Sequence, residues 1–373
     1  MSLPDPSTNR RARGSKLQGR LGGSELFWRD HYEWLLEKGY QLRSRYQPDW
    51  KPSWEGTTKA WYDCPDGLHP MHGSILDASR SSDGELVTLK RISKSLYPFE
   101  REIGLFFSSP AMAKSVHNHC VPIYEALQVP DDENICILVM PMLRPYEHPR
   151  FDTIGEAVEF FRQIFEGLQF MHQYHVAHRD ATHSNVMFDA RSLYRDPYHP
   201  SIPWRKLDLS GRARHYTRTQ RPVKYYLTDF GLSRQYKAED LPTREDIIMG
   251  GDKSVPEFST AETCDPFPAD VYTIGNLVKG LTEGDELTSA MLGFDFMKPL
   301  VAAMTHEDPT KRPTMDEVVT RFEQIQKGLS SWKLRSRIVK ESDSYVGGLF
   351  RGIYHWGRRL VFVIKRVPPL PTP

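Results

Sequence analysis

The chain has 373 residues and a mass of 43.2 kDa, with 39% hydrophobic and 26% charged residues, which excludes a fully disordered chain and a fibrous repeat. Lys and Arg total 49 against 48 Asp and Glu, and a net charge of +1 excludes a strongly basic nucleic-acid-binding domain. The four cysteines (Cys64, Cys120, Cys136, Cys264) lie far apart without C-x-x-C spacing and no run reaches about 18 apolar residues, which excludes a disulfide framework, a zinc site and a spanning helix.

Residues 1–23 are rich in Pro, Ser, Arg and Gly and read as a disordered arm. Its basic run Arg10, Arg11, Arg13 and Lys16 reads as a solvated tail, with a nuclear address as the alternative to a cytoplasmic location. Ser24 as N-cap predicts a helix from Glu25 to about Lys38, closed by Gly39, with Trp28, Tyr32, Leu35 and Leu36 as its packing stripe. Residues 46–54, holding Trp50 and Trp54, read as an extended clamp, so that 24–60 forms an N-terminal helical extension docked on the main domain. From Ile75 to Arg91 the pattern is strand, turn at Ser82-Asp83-Gly84, strand. Phe99–Phe107 reads as a helix and Ile135–Met140 as a short buried strand. Thr153-x-x-Glu156 caps a long amphipathic helix whose apolar positions include Ala157, Phe161, Ile164, Phe165, Leu168 and Met171. Strand-rich material therefore precedes helix-rich material, the order of an α+β protein with two lobes.

After that helix stands His178-Arg179-Asp180, with Asn185 five residues beyond the aspartate, the pattern H-R-D-x-x-x-x-N. Asp229-Phe230-Gly231 follows a strand-like Lys224–Thr228, and Lys90 ends a predicted strand upstream. The three in this order point to phosphoryl transfer, which requires charge placed around phosphates and an oriented hydroxyl rather than covalent chemistry. Lys90 suits the α- and β-phosphates, with Glu102 as the preferred acidic brace and Glu100 as the fallback. Asp229 and Asn185 suit Mg2+, a hard cation that takes oxygen ligands, and Asp180 suits the proton of the incoming hydroxyl.

The set resembles the eukaryotic protein-kinase fold over roughly residues 61–330. Val255-Pro256-Glu257 is similar to the A-P-E motif, Asp270-Val-Tyr272-Thr-Ile-Gly275 to D-x-W-S-x-G, and Arg312 stands where the family places the partner of Glu257. More narrowly, Phe-Trp-Arg-Asp-His, PDWKPSW and RTQRPVKYYLTDFGLS resemble fungal kinase-like proteins. The resemblance implies a bilobal fold: a small β-rich N-lobe over 61–140, a larger helical C-lobe over 141–330, and a tail over 331–373. It also implies ATP and Mg2+ as cofactors, with Gly73, Ile75, Lys90, Glu102, Met140 (gatekeeper), Met142 (hinge) and Met187 around the nucleotide. Two side-chain stacks are implied as well, Phe106, Ile123, His178 and Phe230 in one, Ile75, Thr88 and Met187 in the other. Arg179 would read a phosphate or carboxylate in the segment 232–254, where Thr243 and Ser254 are the candidate acceptors.

The sequence departs from the family at its glycine loop, at Thr182 with the long insertion that follows, and in the stretch from Asp270 to Arg312, which is short for a kinase C-lobe. Of the three glycine positions before Lys90 only Gly73 is kept; Leu68 and Pro70 replace the others and remove close backbone approach to phosphate. Thr182 replaces a lysine, a loss of preorganised charge that can cost about a hundredfold in rate. An insertion at about 191–221 carries Arg195, Arg205, Lys206, Arg212, Arg214, Arg218 and Arg221; its preferred reading is a solvated basic loop, the alternative that one arginine reaches the γ-phosphate or an acidic substrate. In the tail, Leu360–Ile364 with Arg358, Arg359, Lys365 and Arg366 is expected to pack on the body or lack order, membrane-surface contact being the lesser expectation. The expected activity is slow transfer of the γ-phosphate of ATP to Ser or Thr hydroxyls of a protein substrate, with no nucleic-acid partner. The alternative is a pseudokinase acting as a nucleotide-binding or scaffold module. A small-molecule kinase is disfavoured by the Arg179, Glu257, Asp270 and Arg312 set.

Overall fold

Along residues 86–93 burial alternates: Val87 and Leu89 are buried, while Thr88 and Lys90 are half-buried on the opposite face. That period of two defines a strand with one face in a core. The computed structural model describes residues 21–70, 72–248, 250–284 and 289–373, with backbone alone at 345–351. The expected arm therefore lies almost wholly outside the described residues. Two compact units emerge, one holding the chain to Ile92 with Tyr124–Met142 and Tyr194–His215, the other holding Ser93–Ile123, Leu143–Leu193 and Tyr216–Pro373.

The first unit is built on strands β1 (Tyr40–Leu42), β2 (Ile75–Arg80), β3 (Leu86–Ser93), β4 (Glu125–Gln128) and β5 (Ile135–Pro141), in the sheet order β1-β2-β3-β5-β4. The N-terminal extension is part of this sheet and its core rather than a separate docked piece. It supplies β1, and its Trp28, Tyr32, Leu35 and Tyr46 pack with Leu76, Val87, Leu89, Ile137 and Val139. Its helix is two, α1 (Gly23–Asp30) and α2 (Tyr32–Glu37), broken at His31. Glu25 caps α1 by accepting from the backbone N–H of Gly22, so the start lies before Ser24. The central part of the insertion folds in this unit, not with the helical one. It forms a hairpin of Tyr198–His199 with Ile202–Lys206, held by Arg214 on Asp196 and Arg205 near Asp63.

The second unit is helix-rich. Its main helices are α3 (Glu100–Ser108), α4 (Ile154–Gln173), α5 (Pro266–Glu283), α6 (Met315–Gly328) and α7 (Tyr345–Ile364). Thr153 caps α4 through Glu156 N–H at 3.2 Å, as the sequence spacing predicts. Buried nearly all round, α4 meets α6 through Phe165 and Phe322, whose ring centres are 5.3 Å apart. A small sheet, β8-β7-β6, is formed by β6 (Leu143–Pro145), β7 (Val186–Asp189) and β8 (Tyr225–Leu227). It flanks the segment that carries the predicted chemistry. The α+β class with one strand-rich and one helix-rich unit is the one expected.

Candidate active site

The loop that carries Asp180 is fixed from below by a buried carboxylate. Asp270, near the start of α5, accepts the backbone N–H groups of His178 and Arg179, each at 2.7 Å, and lies 3.1 Å from His172 Nε2. This holds Arg179 at φ +65°, a left-handed conformation that an arginine adopts only under such constraint. Both oxygens of Asp180 are engaged. Oδ2 accepts from Asn185 Nδ2 at 2.8 Å, and Oδ1 accepts from the backbone N–H of Gly251 at 2.7 Å. Asn185 Nδ2 also donates to the backbone carbonyl of Asp180, which leaves its amide oxygen as the atom to offer a cation. Burial pushes the Asp180 carboxyl above the ordinary carboxylate range, and the charge of Asp229 adds to the rise against the bonds from Gly251 and Asn185.

Asp229 also takes a left-handed backbone, φ +65°, and accepts the N–H of Gly231 at 3.2 Å. Phe230, buried, packs on His178 at 5.7 Å and on Phe107 at 6.3 Å between ring centres. Gly104 of α3 is the position that permits this: a Cβ there would lie 2.9 Å from Ile123 Cγ1 and 3.8 Å from Phe230. The ring beside Phe230 on α3 is thus Phe107 rather than Phe106, which lies one step out, against Phe107 and Tyr174. The same helical phase separates the two candidate carboxylates. Glu100, Ile103, Gly104 and Phe107 form the buried face of α3, whereas Glu102 is exposed. Glu100 Oε2 lies 3.4 Å from where a Cβ of Gly231 would stand, so Glu100 is the carboxylate beside the Asp229-Phe230-Gly231 turn. Met187, half-buried on β7, pairs with Tyr226 of β8.

In the first unit one sheet face gathers the other predicted residues. Ile75 is the cross-strand partner of Lys90, Thr88 lies two residues along, and Met140 is half-buried on β5. Met142 follows with its sulfur 3.6 Å from Thr88 Oγ1. Gly73 is not an open phosphate approach in this unit. A Cβ there would lie 2.4 Å from Ser24 Cβ, and its carbonyl accepts from the Trp28 indole at 3.1 Å. Leu68 is buried, its carbonyl bound by Arg43 at 2.7 Å, and His69 Nδ1 lies 3.0 Å from Glu25. The segment that replaces a glycine loop is thus tied to the N-terminal extension.

The insertion does not act as a loose basic loop. Arg218 is fully buried, donates to the carbonyls of Tyr146 and Pro149 at 2.6 Å each, and stacks on Phe151 and Phe188. Thr182 is buried, with its hydroxyl 2.9 Å from that of Ser184. Sequence reasoning missed Gly250 and Gly251. A Cβ on Gly250 would lie 2.6 Å from Asp180 Oδ1, so this backbone closes on the carboxylate only as glycine. The paired glycines ahead of Glu257 were the available signal. Beside them, Thr182, His183, Gly251, Asp252, Thr273 and Asn276 help line a cavity of about 170 Å3.

The segment after Asp229 is anchored by a carboxylate of its own. Arg179 Nη1 lies 3.9 Å from Glu245, Arg234 pairs with the same carboxylate, and Arg179 Nη2 donates to the Asp246 carbonyl at 3.0 Å. Ser254, a candidate phosphate acceptor, instead donates its hydroxyl to Asp252 at 2.7 Å. Replacing Glu245 by Ala removes a charged hydrogen bond worth about 1.5–3 kcal/mol locally. The expected result is faster amide exchange and tryptic cleavage over residues 236–254, with global unfolding unchanged. Unaltered exchange there would remove this anchoring role. Further along, Glu257 and Arg312 form the expected ion pair, two bonds of 2.6 and 2.7 Å, with the Arg312 side chain fully buried.

Among the described residues no cluster of three or more His, Cys, Asp or Glu could hold a metal unaided. One carboxylate and one amide oxygen suit Mg2+, which keeps waters and takes phosphate oxygens to complete its shell.

A family model, the protein kinase domain, matches residues 71–295. The chain is 27% identical over 141 residues to the serine/threonine-protein kinase pim-2 of Danio rerio, covering 32% of this chain and 44% of the relative. It is 25% identical over 185 residues to the serine/threonine-protein kinase CAK1 of Saccharomyces cerevisiae, covering 48% and 42%. To NUAK family SNF1-like kinase 2 of Homo sapiens it is 30% identical over 128 residues, covering 32% and 19%. The matches thus span less than half the length of each relative. The matched region runs from the second strand past the Asp180 loop, the Asp229 turn and the Glu257 anchor, and the chain belongs to the protein kinase family.

Proposed function

We propose that the chain is a working, slow kinase that moves the γ-phosphoryl group of ATP to a Ser or Thr hydroxyl of a protein. The observation that carries this is Asp180: a carboxylate aimed by Asn185 and a backbone N–H, with its proton affinity raised by burial. A raised affinity suits a group that must take a proton from an alcohol as the new P–O bond forms and the bond to ADP breaks. Mg2+ with ATP, when bound, supplies the phosphoryl group and shields its charge. Asn185 and Asp229 would offer oxygen to the cation, and Lys90 an ammonium to the phosphates. Two of the relatives are named serine/threonine-protein kinases, which supports an alcohol as acceptor. The polar cavity beside Thr182 and Gly251 offers a flanking side chain hydroxyl and carboxylate partners.

A second reading, a pseudokinase, is favoured by one observation. Leu68, His69 and Gly73 are held by Arg43, Glu25 and Trp28, where a nucleotide lid would need free backbone. Radiolabelled ATP with Mg2+ separates the two. Label transferred to a generic substrate or to the chain itself, and abolished by Asp229→Ala, supports the enzyme. Thermal stabilisation by ATP and Mg2+ without transfer supports the pseudokinase.

A further inference from the structure

The last helix of the chain is inside out. Its buried side carries His355, Arg359 and Phe362, while Ile353, Trp356, Leu360, Val361, Val363 and Ile364 are 45–71% exposed. At 3.6 residues per turn Ile353, Trp356, Leu360 and Ile364 line one side, with the two valines on its flanks and the buried residues opposite. Tyr354 and Trp332 extend the exposed patch. The polar side is what fastens α7 to the second unit. Arg358 pairs with Asp152, His355 Nε2 lies 3.0 Å from the Arg335 carbonyl, and Arg359 donates to the Trp332 carbonyl at 3.0 Å while stacking on its ring. The chain beyond the helix is tied as well, Arg335 donating to the Val367 carbonyl. With the charged side committed inward, the helix keeps this orientation and offers water an aliphatic and aromatic surface.

We propose that this face is a membrane-surface anchor that lies in the plane of an anionic lipid layer. Residues 345–373 hold no Asp or Glu; with Arg358 paired to Asp152 and Arg359 buried, the exposed Lys365 and Arg366 are the charges that end the apolar face. That charge calls for an anionic complement. A second copy of the chain would bring the same positive tail against it. Residues 1–20, with five Arg and Lys against Asp5, carry the same sign and do not complement it either. A lipid surface is favoured over an acidic protein because the apolar patch offers few directional hydrogen-bonding groups, the Tyr354 hydroxyl and the indole N–H groups of Trp332 and Trp356. Lipid needs none. The exposed run of 353–364 is roughly 18 Å long, far short of a bilayer core of about 30 Å, and no described helix is long and apolar enough to cross a membrane. Lying flat at the headgroup boundary is the geometry left for it.

The test is flotation of the full chain with vesicles of phosphatidylcholine, alone or with about a third phosphatidylserine. The expected result is binding to the serine-lipid vesicles, weakened by salt, with a blue shift of tryptophan emission. Leu360→Glu with Ile364→Glu is expected to weaken partitioning by about tenfold or more. Lys365→Gln with Arg366→Gln is expected to weaken it about thirtyfold at low salt. All four side chains are exposed, so melting temperature is expected to hold in both variants. The proposal is overturned if the folded wild type fails to float at low salt, if it binds both vesicles equally, or if the glutamates change nothing. Retention on polyglutamate without vesicle binding would assign the face to an acidic protein and overturn it equally.

Discussion

Asp180→Asn is expected to lower kcat by roughly a hundred to ten thousandfold while leaving the affinity for ATP and Mg2+ within about twofold. Two effects combine. The amide is not a base, and it fits the site badly. Oδ1 and Oδ2 of the aspartate each face a donor, Gly251 N–H and Asn185 Nδ2, so an amide nitrogen in either position opposes an N–H with an N–H. The wild-type rate is expected to rise with pH through an acid limb that lies above the ordinary carboxylate value of about 3.9, because burial favours the protonated form. The variant should lack this limb. Melting temperature is expected to change little, since removing a charge whose burial is unfavourable offsets the hydrogen bond lost. If Asp180→Asn retained wild-type turnover, Asp180 would not be the proton acceptor.

The parts of the site that were legible in the sequence are those fixed by spacing along the chain. Asp180 and Asn185, the Asp229 turn, and the Glu257–Arg312 pair each combine residue types whose separation already encodes a loop or an anchor. What misled was phase. Glu100 and Glu102 differ by two positions on a helix, about 200° of rotation, and reading Leu105 and Phe106 as inward placed the wrong carboxylate inside. Burial of Ile103, Gly104 and Phe107 settles the phase, and Gly104 gives no hydrophobic signal from which to infer it. The tail packs on the body, one of the two outcomes expected, but which side of it would do so was not legible. Apolar residues at helical spacing reveal a face, but not whether that face or its polar opposite meets the protein. In α7, the carboxylate of Asp152 and the carbonyls of Trp332 and Arg335 decide in favour of the polar side. Arg218 looked like surface charge beside its neighbours, and only the carbonyls of Tyr146 and Pro149 make it a core residue.

The N-terminal extension supplies the largest expected stability effect. Arg45 and Glu25 are buried together: Arg45 Nε donates to Oε1 at 2.7 Å and Nη2 to Oε2 at 3.2 Å. Tyr46, His69 and the Gly22 N–H complete the carboxylate's shell. Burial alone would raise the Glu25 proton affinity, but the bonds from His69 and Arg45 prevail and hold it far below the usual carboxylate range. Arg45→Ala therefore leaves a buried charge without its cation and is expected to cost about 3–5 kcal/mol. Glu25→Leu with Arg45→Met should recover part of that loss, because no uncompensated charge remains. Since the carboxyl is depressed in the folded chain, its contribution is complete above the ordinary value near 4.5 and is lost as pH falls below it toward the folded value. Melting temperature followed between about pH 3 and 7 should fall on the acid side in the wild type and fall less steeply in Glu25→Gln. Equal acid sensitivity in the two proteins would mean that the pair is solvated in solution. The tie of His69 to Glu25, one of the observations behind the pseudokinase reading, would then be lost as well.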